Sequence, residues 1–451
     1  MGDDLLSRLD RARWSRAHWL IFASTAIGFF LWGIINTMGY AFFPTYSSVA
    51  YIVTVAATPL LGDLILSRIS DRRLGRKSTY IITMGLYALG IMIDAAALLL
   101  MRRGLAQEAT FLAGYGLAMF GVEGEVPIGL ALLAEVSPVK HRQRVLILSP
   151  NFENIGAAAA AALAFAIANM DPSGHGMSPF TVATLAIAGM AAAGLVAAVV
   201  LRALMPESIR WLTARGLEER ARREASRLTA SGEDNVSISN RGSRRLSLRS
   251  RFGFLTVWAL ANYLTWGLMA FVLADYYLHG SQIYLDMLFA NLGASAAAVA
   301  ALFLDRMDSR NFVLLAFSAA TASFAPILAY TLLGLSSPAL FYGLTFLNLF
   351  FITFTWWVRT IHEPLLFPTE DRAFMIGSVR AIAMAAYTAS TYITFGANEW
   401  AFALYGMAWQ AVGLASAALW RRDGFDVRLR SLDAISAPAP RVKVPAVSPA
   451  A

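Results

Sequence analysis

The sequence predicts an all-α membrane protein with about twelve transmembrane helices in two pseudo-symmetric six-helix bundles. Of its 451 residues, 57% are hydrophobic and only 15% are charged, and the mean hydropathy is +0.56. This composition leaves too few polar side chains to cover a water-soluble protein of this size. The apolar residues also form runs of about 20 residues, the length with which an α-helix crosses about 30 Å of hydrocarbon.

The first half of the chain, residues 1–204, is predicted to form the N-terminal bundle. Its first apolar run is too long for the core of a signal peptide, so it is predicted to be retained as a helix. The six predicted spans of this half cover roughly residues 19–43, 48–66, 79–101, 111–134, 145–170 and 180–204.

Residues 205–252 interrupt the apolar pattern with Arg, Glu and Ser, and are predicted to form a cytoplasmic linker with an amphipathic helix. Residues 253–421 are predicted to form the C-terminal bundle, and residues 422–451, with their Pro, Ala and Ser, a disordered cytoplasmic tail. The six later spans cover roughly residues 254–278, 283–304, 312–335, 340–360, 374–395 and 400–420.

The charged residues between the spans predict the orientation of the chain. Most Lys and Arg fall on one side of the predicted membrane, and this side is expected to be the cytoplasm. The chain is thus expected to cross the cell membrane several times, with both termini in the cytoplasm. The net charge of +8 is therefore attributed to topology and not to nucleic-acid binding. The chain has no Cys, its five His are scattered and no phosphate-binding glycine loop is present, so no enzyme activity, metal or cofactor is expected.

Charged loops repeat between the two halves at an offset of about 230 residues. The loop SDRRLGRK, with Asp71, Arg72 and Arg76, matches LDRMDSRN, with Asp305, Arg306 and Arg310, and Pro138 and Arg142 match Pro368 and Arg372. Two parallel six-helix halves around a site at the midplane are typical of transporters that work by alternating access.

Four motifs spread over nearly the whole chain resemble those of the major facilitator superfamily, in its sugar porter and general substrate transporter branch. They are SDRRLGRK, GVEGEVPIGLALLAEVSP with the following Arg142, PESIRWL and FPTEDR. The sequence departs from the family pattern at Leu74, an extra residue in the first motif, at Ile209 in place of a proline, and at Leu365 in place of a glutamate. The resemblance implies a secondary transporter.

The resemblance also implies where many relatives carry proton-coupling residues. They have an acidic residue in the first helix next to a glycine, whereas this chain has Trp32 and Ile35 around Gly33. The helix 4 arginine that often partners this acid is replaced by Tyr115. Proton coupling by that route is therefore not expected.

Charges at the predicted cytoplasmic helix ends form a candidate gate. Salt bridges between them would hold while the cavity faces outward and separate when it faces inward, each partly exposed pair contributing about 0–1 kcal/mol. The other interpretation is that these charges only end the helices at the water interface. The candidate gate residues are Asp71, Arg72, Gly75, Arg76, Glu135, Arg142, Glu207, Arg210, Asp305, Arg306, Arg310 and Arg372.

Charges inside the predicted spans are candidates for coupling or substrate binding, because an intramembrane carboxylate must face protein or water. Glu153, Glu125 and Glu123 share a level roughly 12–17 Å from the cytoplasmic helix ends, and Arg380 is a candidate partner or a contact for an anionic substrate. Glu125 also has a structural interpretation, and the aromatic faces are equally explained by packing. Asp63 and Arg359 are expected to snorkel. The candidate cavity residues are Trp32, Asn36, Glu123, Glu125, Asn151, Glu153, Asn262, Trp266 and Arg380.

Together these features predict a secondary active transporter for a small organic solute such as a sugar or an organic acid, acting as a monomer in the lipid bilayer. Protons are the candidate coupling ion, in symport. Two alternatives remain open from the sequence: an uncoupled uniporter, and a transporter-fold sensor or interaction protein that binds without turnover.

Overall fold

The computed structural model describes residues 2–42, 49–102, 104–169, 179–238, 246–304 and 306–437, where all regular structure is helical apart from one isolated bridge between Ala12 and Glu233. Eleven helical stretches in these ranges are long and apolar enough to cross a membrane. One of them, Thr54–Leu100, contains two helices joined by a π-helical turn at Ser70–Leu74, which makes twelve crossing helices among the described residues. The predicted all-α membrane fold is thereby confirmed.

A short helix, α1 (Gly2–Arg11), precedes the first bundle. The fifth crossing helix is broken at Pro150. A proline breaks a helix because it has no N–H to donate and its ring disturbs the preceding turn. The crossing helices are α2 (Arg16–Phe42), α3 (Val49–Ile69), α4 (Gly75–Leu100), α5 (Leu105–Val136), α6 (Arg142–Leu148) with α7 (Phe152–Ala168), and α8 (Pro179–Leu204).

The linker between the bundles contains α9 (Ile209–Ala214) and α10 (Glu218–Leu228). Helix α10 is amphipathic, because it buries Ala221, Ala225 and Leu228 and exposes most of its charged side chains. Its apolar face packs against α1 and α2, so this face is covered by protein.

The second bundle repeats the pattern of six crossing helices. A π-helical turn at Met269–Leu273 interrupts its first helix, and a bend near Ser323 divides its third. The helices are α11 (Leu248–Trp266) with α12 (Ala274–Tyr277), α13 (Ser281–Phe303), α14 (Ser309–Ala322) with α15 (Phe324–Leu332), α16 (Pro338–Leu366), α17 (Arg372–Ile393) and α18 (Glu399–Asp423).

Glycines allow helices to approach closely within and between the bundles. A Cβ atom at Gly33 on α2 would meet the main chain of Glu153 on α7, and one at Gly377 on α17 would meet the main-chain oxygen of Asp63 on α3. Small residues at a helix contact are the usual means of close packing in membranes. The second contact joins the two bundles directly, so it positions the charged groups of α3 and α17 next to each other.

The chain after α18 does not form the disordered tail that its composition predicted, as far as residue 437. A short helix, α19 (Leu432–Ser436), packs at the end of the bundles that carries the linker, which we call the linker end. Buried Arg251 donates hydrogen bonds to the carbonyl oxygens of Ile435, Ser436 and Ala437 at 2.8–3.0 Å. These donors replace water for the tail backbone, and so its polar composition is compatible with order. Residues 438–451 lie outside the described part of the chain.

Candidate functional site

A cavity of about 210 Å³ lies between the two bundles. It is lined by α2, α3, α5 and α7 of the first bundle and by α11, α16 and α17 of the second. Six of the nine candidate cavity residues line it: Trp32, Asn36, Glu123, Glu153, Asn262 and Trp266.

Arg380 on α17 connects the two bundles at the wall of this cavity. Its Nε lies 3.1 and 3.0 Å from the two carboxylate oxygens of Asp63, and its Nη2 lies 2.5 Å from Oε2 of Glu123. The indole N–H of Trp32 donates to the other oxygen of Glu123 at 2.8 Å. We call Asp63, Glu123 and Arg380 the central triad. One guanidinium therefore holds two carboxylates of the opposite bundle.

The sequence placed Asp63 near a helix end and predicted snorkelling, and this is wrong. Its side chain is fully buried, because α3 and α17 touch at Gly377 and exclude water from the interface. Arg359 was expected to snorkel too, but it is fully buried in α16. Its Nε donates to Glu363 at 2.7 Å and its Nη1 to Oδ1 of Asn262 at 2.9 Å. Both arginines of the cavity region are thus paired with carboxylates.

Aromatic rings surround these charges. The guanidinium carbon of Arg359 lies 4.8 Å from the ring centre of Tyr263 and 4.9 Å from that of Trp356, within the range of cation–π attraction. Trp356 also meets Trp32 across the two bundles, with ring centres 6.3 Å apart. The cavity therefore combines aromatic walls with buried charge.

Glu125 was predicted to line the cavity, but it does not. It points into the first bundle, where Arg202 of α8 forms an ion pair with it and the hydroxyl of Thr83 donates to it at 2.6 Å. Arg202 was missed, although an arginine near the end of an apolar run was a usable signal. Asn151 is also away from the cavity, at the break before α7, where its side-chain oxygen accepts from Asn154 at 3.3 Å.

Glu135 is the centre of the charged network at the linker end. Arg76 donates to both of its carboxylate oxygens, at 3.1 and 2.7 Å, and the hydroxyl of Ser208 donates at 2.6 Å. Arg372 of the second bundle donates to it at 2.8 Å. All three charged side chains are fully buried. This cluster closes the linker end by direct contact between the bundles.

Asp71 and Arg72 add two more contacts across the bundles. The carboxylate of Asp71 accepts the main-chain N–H of Phe374 at 2.7 Å, at the first turn of α17, where the free N–H groups and the helix dipole favour an anion. Asp71 also pairs with Arg76 at 2.5 Å. Arg72 pairs with Asp371 at 2.6 Å on the protein surface. We call these residues, together with Glu135 and Arg372, the linker-end gate.

Glu207 and Gly75 prepare the first turn of α4 for this gate. The carboxylate of Glu207 accepts the main-chain N–H groups of Arg76 and Lys77 at 3.0 and 3.1 Å. Gly75 adopts φ = +83°, a conformation that glycine tolerates best. Burial raises the pKa of Glu207, and the N–H groups around it offset this rise only in part.

Arg142 and Arg210 form no salt bridge with the described residues of the linker-end gate, although the sequence grouped them with it. Arg210 contacts the gate through the main-chain oxygen of Glu135, at 3.2 Å. Both arginines hold Asp10 of α1, at 2.5 and 2.6 Å. Burial alone would raise the pKa of Asp10, but the two guanidinium groups outweigh burial and hold that pKa below its ordinary value. Arg142 also donates to the carbonyl of Arg430, and Arg210 pairs with Asp433. The two arginines therefore fasten α1 and the tail to the first bundle.

The described residues of the repeat in the second half, Arg306 and Arg310, make no equivalent contact. Arg310 folds back onto Asp308, the residue that caps α14, and pairs with it at 2.7 Å on the surface of its own bundle. The carbonyl of Arg306 accepts a hydrogen bond from Arg428 of the tail. Asp305 lies outside the described residues. In this conformation the closed gate is thus built from the first-half motif and the start of α17.

Two six-helix bundles around one cavity, closed at one end by ion pairs, define an alternating-access membrane transporter. The chain belongs to the Major Facilitator Superfamily, whose sequence model matches residues 17–391. It is a multi-pass membrane transporter and not an enzyme. A search of curated proteins finds no significant match.

Solved transporter structures share this fold. XylE, a proton:xylose symporter bound to 6-bromo-6-deoxy-D-glucose, is 12% identical with a TM-score of 0.71, over 96% of this chain and 99% of XylE. A partially occluded inward-open form of XylE from E. coli is 13% identical with a TM-score of 0.65, over 92% and 99%. FucP in the outward conformation is 15% identical with a TM-score of 0.61, over 90% and 99%.

Proposed function

We propose that the chain is a secondary active transporter that moves a small organic solute across the cell membrane, coupled to protons through the carboxylates of the cavity. One chain is the transport unit, and the linker end faces the cytoplasm, in agreement with the excess of Lys and Arg there. The observation that carries the proposal is the central triad, in which charges of both bundles meet at the wall of the cavity.

The closed linker-end gate supports a conformation in which solute reaches the cavity from the opposite side. Thr391 and Tyr392 line the cavity near the last turn of α17, far from the linker end. The reverse state requires Arg372 to leave Glu135 and Phe374 to leave Asp71. Because the bundles then separate at the gate, the cavity opens to the cytoplasm.

The central triad couples this movement to charge. Arg380 is held by two carboxylates, so protonation of Glu123 removes one ionic contact of Arg380 across the bundles and leaves the contact with Asp63. A protonated Glu123 thus weakens the contact that favours the closed gate. Proton binding and gate opening are then linked through one arginine.

Glu153 is the group through which protons enter. It lines the cavity on α7, and no described residue donates a hydrogen bond to its carboxylate. The charged groups that act on it are Glu123 and Arg380. A carboxylate that faces the cavity next to the triad can exchange protons with water there. Its charge then acts on the neighbouring carboxylate of Glu123 by electrostatic repulsion, so the two groups titrate together.

Glu153→Gln tests the proposal, because glutamine keeps the shape of the side chain but cannot titrate. In proteoliposomes with an imposed proton gradient, the variant should lose gradient-driven accumulation and keep pH-insensitive solute exchange at saturating solute concentration. The solutes are taken from a panel of sugars, organic acids and amines that stabilise the purified protein against heat. The matched control is Asp286→Asn on α13, which removes a fully buried carboxyl group that does not line the cavity.

Three results would contradict parts of the proposal. Wild-type pH dependence in Glu153→Gln would move the coupling to Glu123. Accumulation that ignores the proton gradient in the wild type would make the protein a uniporter. Solutes that stabilise the protein but are never transported would make it a sensor with a transporter fold.

A further inference from the structure

The charges at the cavity do not balance. Asp63, Glu123, Glu153 and Glu363 are four carboxyl groups, and Arg359 and Arg380 are two guanidinium groups, all buried at or next to the cavity. The excess of two carboxyl groups must be compensated by protons or by a bound cation, because uncompensated charge in a membrane interior is costly. An anionic solute would add to the excess.

The guanidinium groups are already occupied by internal carboxylates. Arg359 contacts Glu363 at 2.7 Å, and Arg380 contacts Glu123 at 2.5 Å and Asp63 at 3.0 Å. Nη2 of Arg359 and Nη1 of Arg380 have no hydrogen-bond partner among the described residues, so an anionic solute would not have to displace a carboxylate, but it would add to the excess of negative charge. Glu153 is different, since it lines the cavity without a hydrogen bond from any described residue.

Some neutral hydrogen-bonding groups of the lining already bond within the protein. The amide of Asn262 accepts from Arg359 at 2.9 Å and donates to Thr355 at 3.0 Å. The hydroxyl groups of Thr388 and Thr391 donate to the main chain of their own helix at 3.1 Å. A solute covered with hydroxyl groups would have to share these groups with their internal partners, whereas aromatic side chains make up much of the lining.

We propose that the cavity binds a small organic monocation, an amine or a quaternary ammonium compound, with Glu153 as its carboxylate contact and Trp32 and Trp266 as aromatic walls. The cavity volume of about 210 Å³ leaves room for a solute of this size. A cation near an indole face and a carboxylate gains both cation–π and ionic attraction. The inference rests on the proposed transport function and names its substrate class.

The cation and the proton then compete for the carboxylate of Glu153. A protonated Glu153 carries no charge to attract the ammonium group, so acidification weakens binding of the cation. Two charged groups act on Glu153 in this competition, Glu123 of α5 and Arg380 of α17. The helices that pack beside α7 are α2, α8 and α13, and their described residues direct no further charge at Glu153. Exchange of a cation for a proton is the transport mode that follows.

Binding to the purified full-length protein in detergent micelles tests this inference, with calorimetry as the readout. The probes are trimethylphenylammonium, benzoate and D-glucose, which present a cation, an anion of similar ring size and a neutral polyol. Trimethylphenylammonium should bind at pH 8 and more weakly at pH 5. Glu153→Gln should reduce its affinity about 10- to 100-fold, because the variant lacks the carboxylate charge that attracts the quaternary ammonium group.

Asp286→Asn is the matched control and should bind the cation as the wild type does. If Glu153→Gln fails to fold, the three probes on the wild type still decide. Preferred binding of benzoate or glucose, or cation binding that neither pH nor Glu153→Gln changes, would overturn the inference. In vesicles, a cation that binds but is never transported refutes the transport function alone, and a transported sugar or acid with no cation binding refutes the monocation alone.

Discussion

Replacing Arg372 by methionine should shift the resting protein away from the conformation that is closed at the linker end. Arg372 contributes one buried ionic hydrogen bond to Glu135, 2.8 Å long, from the second bundle to the first. Glu135 keeps Arg76 and Ser208 as partners in the variant, so no buried charge is left unpaired. The cost to the closed state is therefore that of one bond to a charged group, about 1.5–3 kcal/mol, and not the larger penalty of a broken buried pair.

This free energy changes the ratio of closed to open molecules by about 10- to 150-fold. The chain has no Cys, so two introduced cysteines at exposed Arg73 and Glu370 can carry spin labels on opposite bundles at the linker end. Pulsed electron resonance should give one short distance in the wild type and an added longer distance in Arg372→Met.

The control is Arg310→Met, which removes an arginine of the second-half repeat at the linker end. Its ion pair with Asp308 stays within one bundle, so the distances should remain those of the wild type. If Arg372→Met and Arg310→Met give the same distances as the wild type, the buried pair does not set the conformational balance, and these charges serve only to end the helices.

Two further predictions concern other contacts. Gly377→Val should also lengthen the distance between the labels, because its side chain would meet the main-chain oxygen of Asp63 and separate α17 from α3; an unchanged distance would refute this role of the glycine. Acid should release α1, because the pKa of Asp10 is lower in the folded protein than in the unfolded chain. The contribution of Asp10 to stability is therefore full above its ordinary pKa of about 3.9, and it is lost as the pH falls through the lower pKa of the folded state. The hydrogen-exchange protection factors of residues 2–11, which correct for the slower intrinsic exchange in acid, should therefore be high at pH 7 and fall as the pH drops below about 3.9, and they should be low throughout in Asp10→Asn.

Hydrophobic pattern predicted the fold because the cost of placing charge in a membrane is large and local. The same cost made Glu123, Glu153 and Arg380 visible as candidates. In the structure Glu123 and Glu153 line the cavity, and Arg380 lies behind the lining, paired with Glu123. Asp63 and Arg359 were misjudged for a related reason. Position along a helix gives depth, but it does not tell whether lipid, water or another bundle lies opposite.

Contacts between segments that are far apart in the chain could not be predicted from the sequence. The repeat offset paired Arg310 with Arg76, yet equal position in a repeat does not imply equal partners, and Arg310 pairs with a residue only two positions away. The order of the tail depends on donors from Arg251, which is more than 180 residues earlier in the chain. Composition describes the tail alone and cannot include such donors.

The positions of the two inter-bundle contacts on α17 suggest how the cavity and the gate act together. Arg372 and Arg380 lie eight residues apart on this one helix, about 12 Å along its axis, and both bind carboxylates of the first bundle. Gly377 lies between them, where α17 touches α3. A rigid helix that loses its hold at Arg380 therefore moves at Arg372 as well. Binding of a proton or a cation at the cavity can thus open the gate by displacement of α17, without a chain of side-chain rearrangements between the two sites.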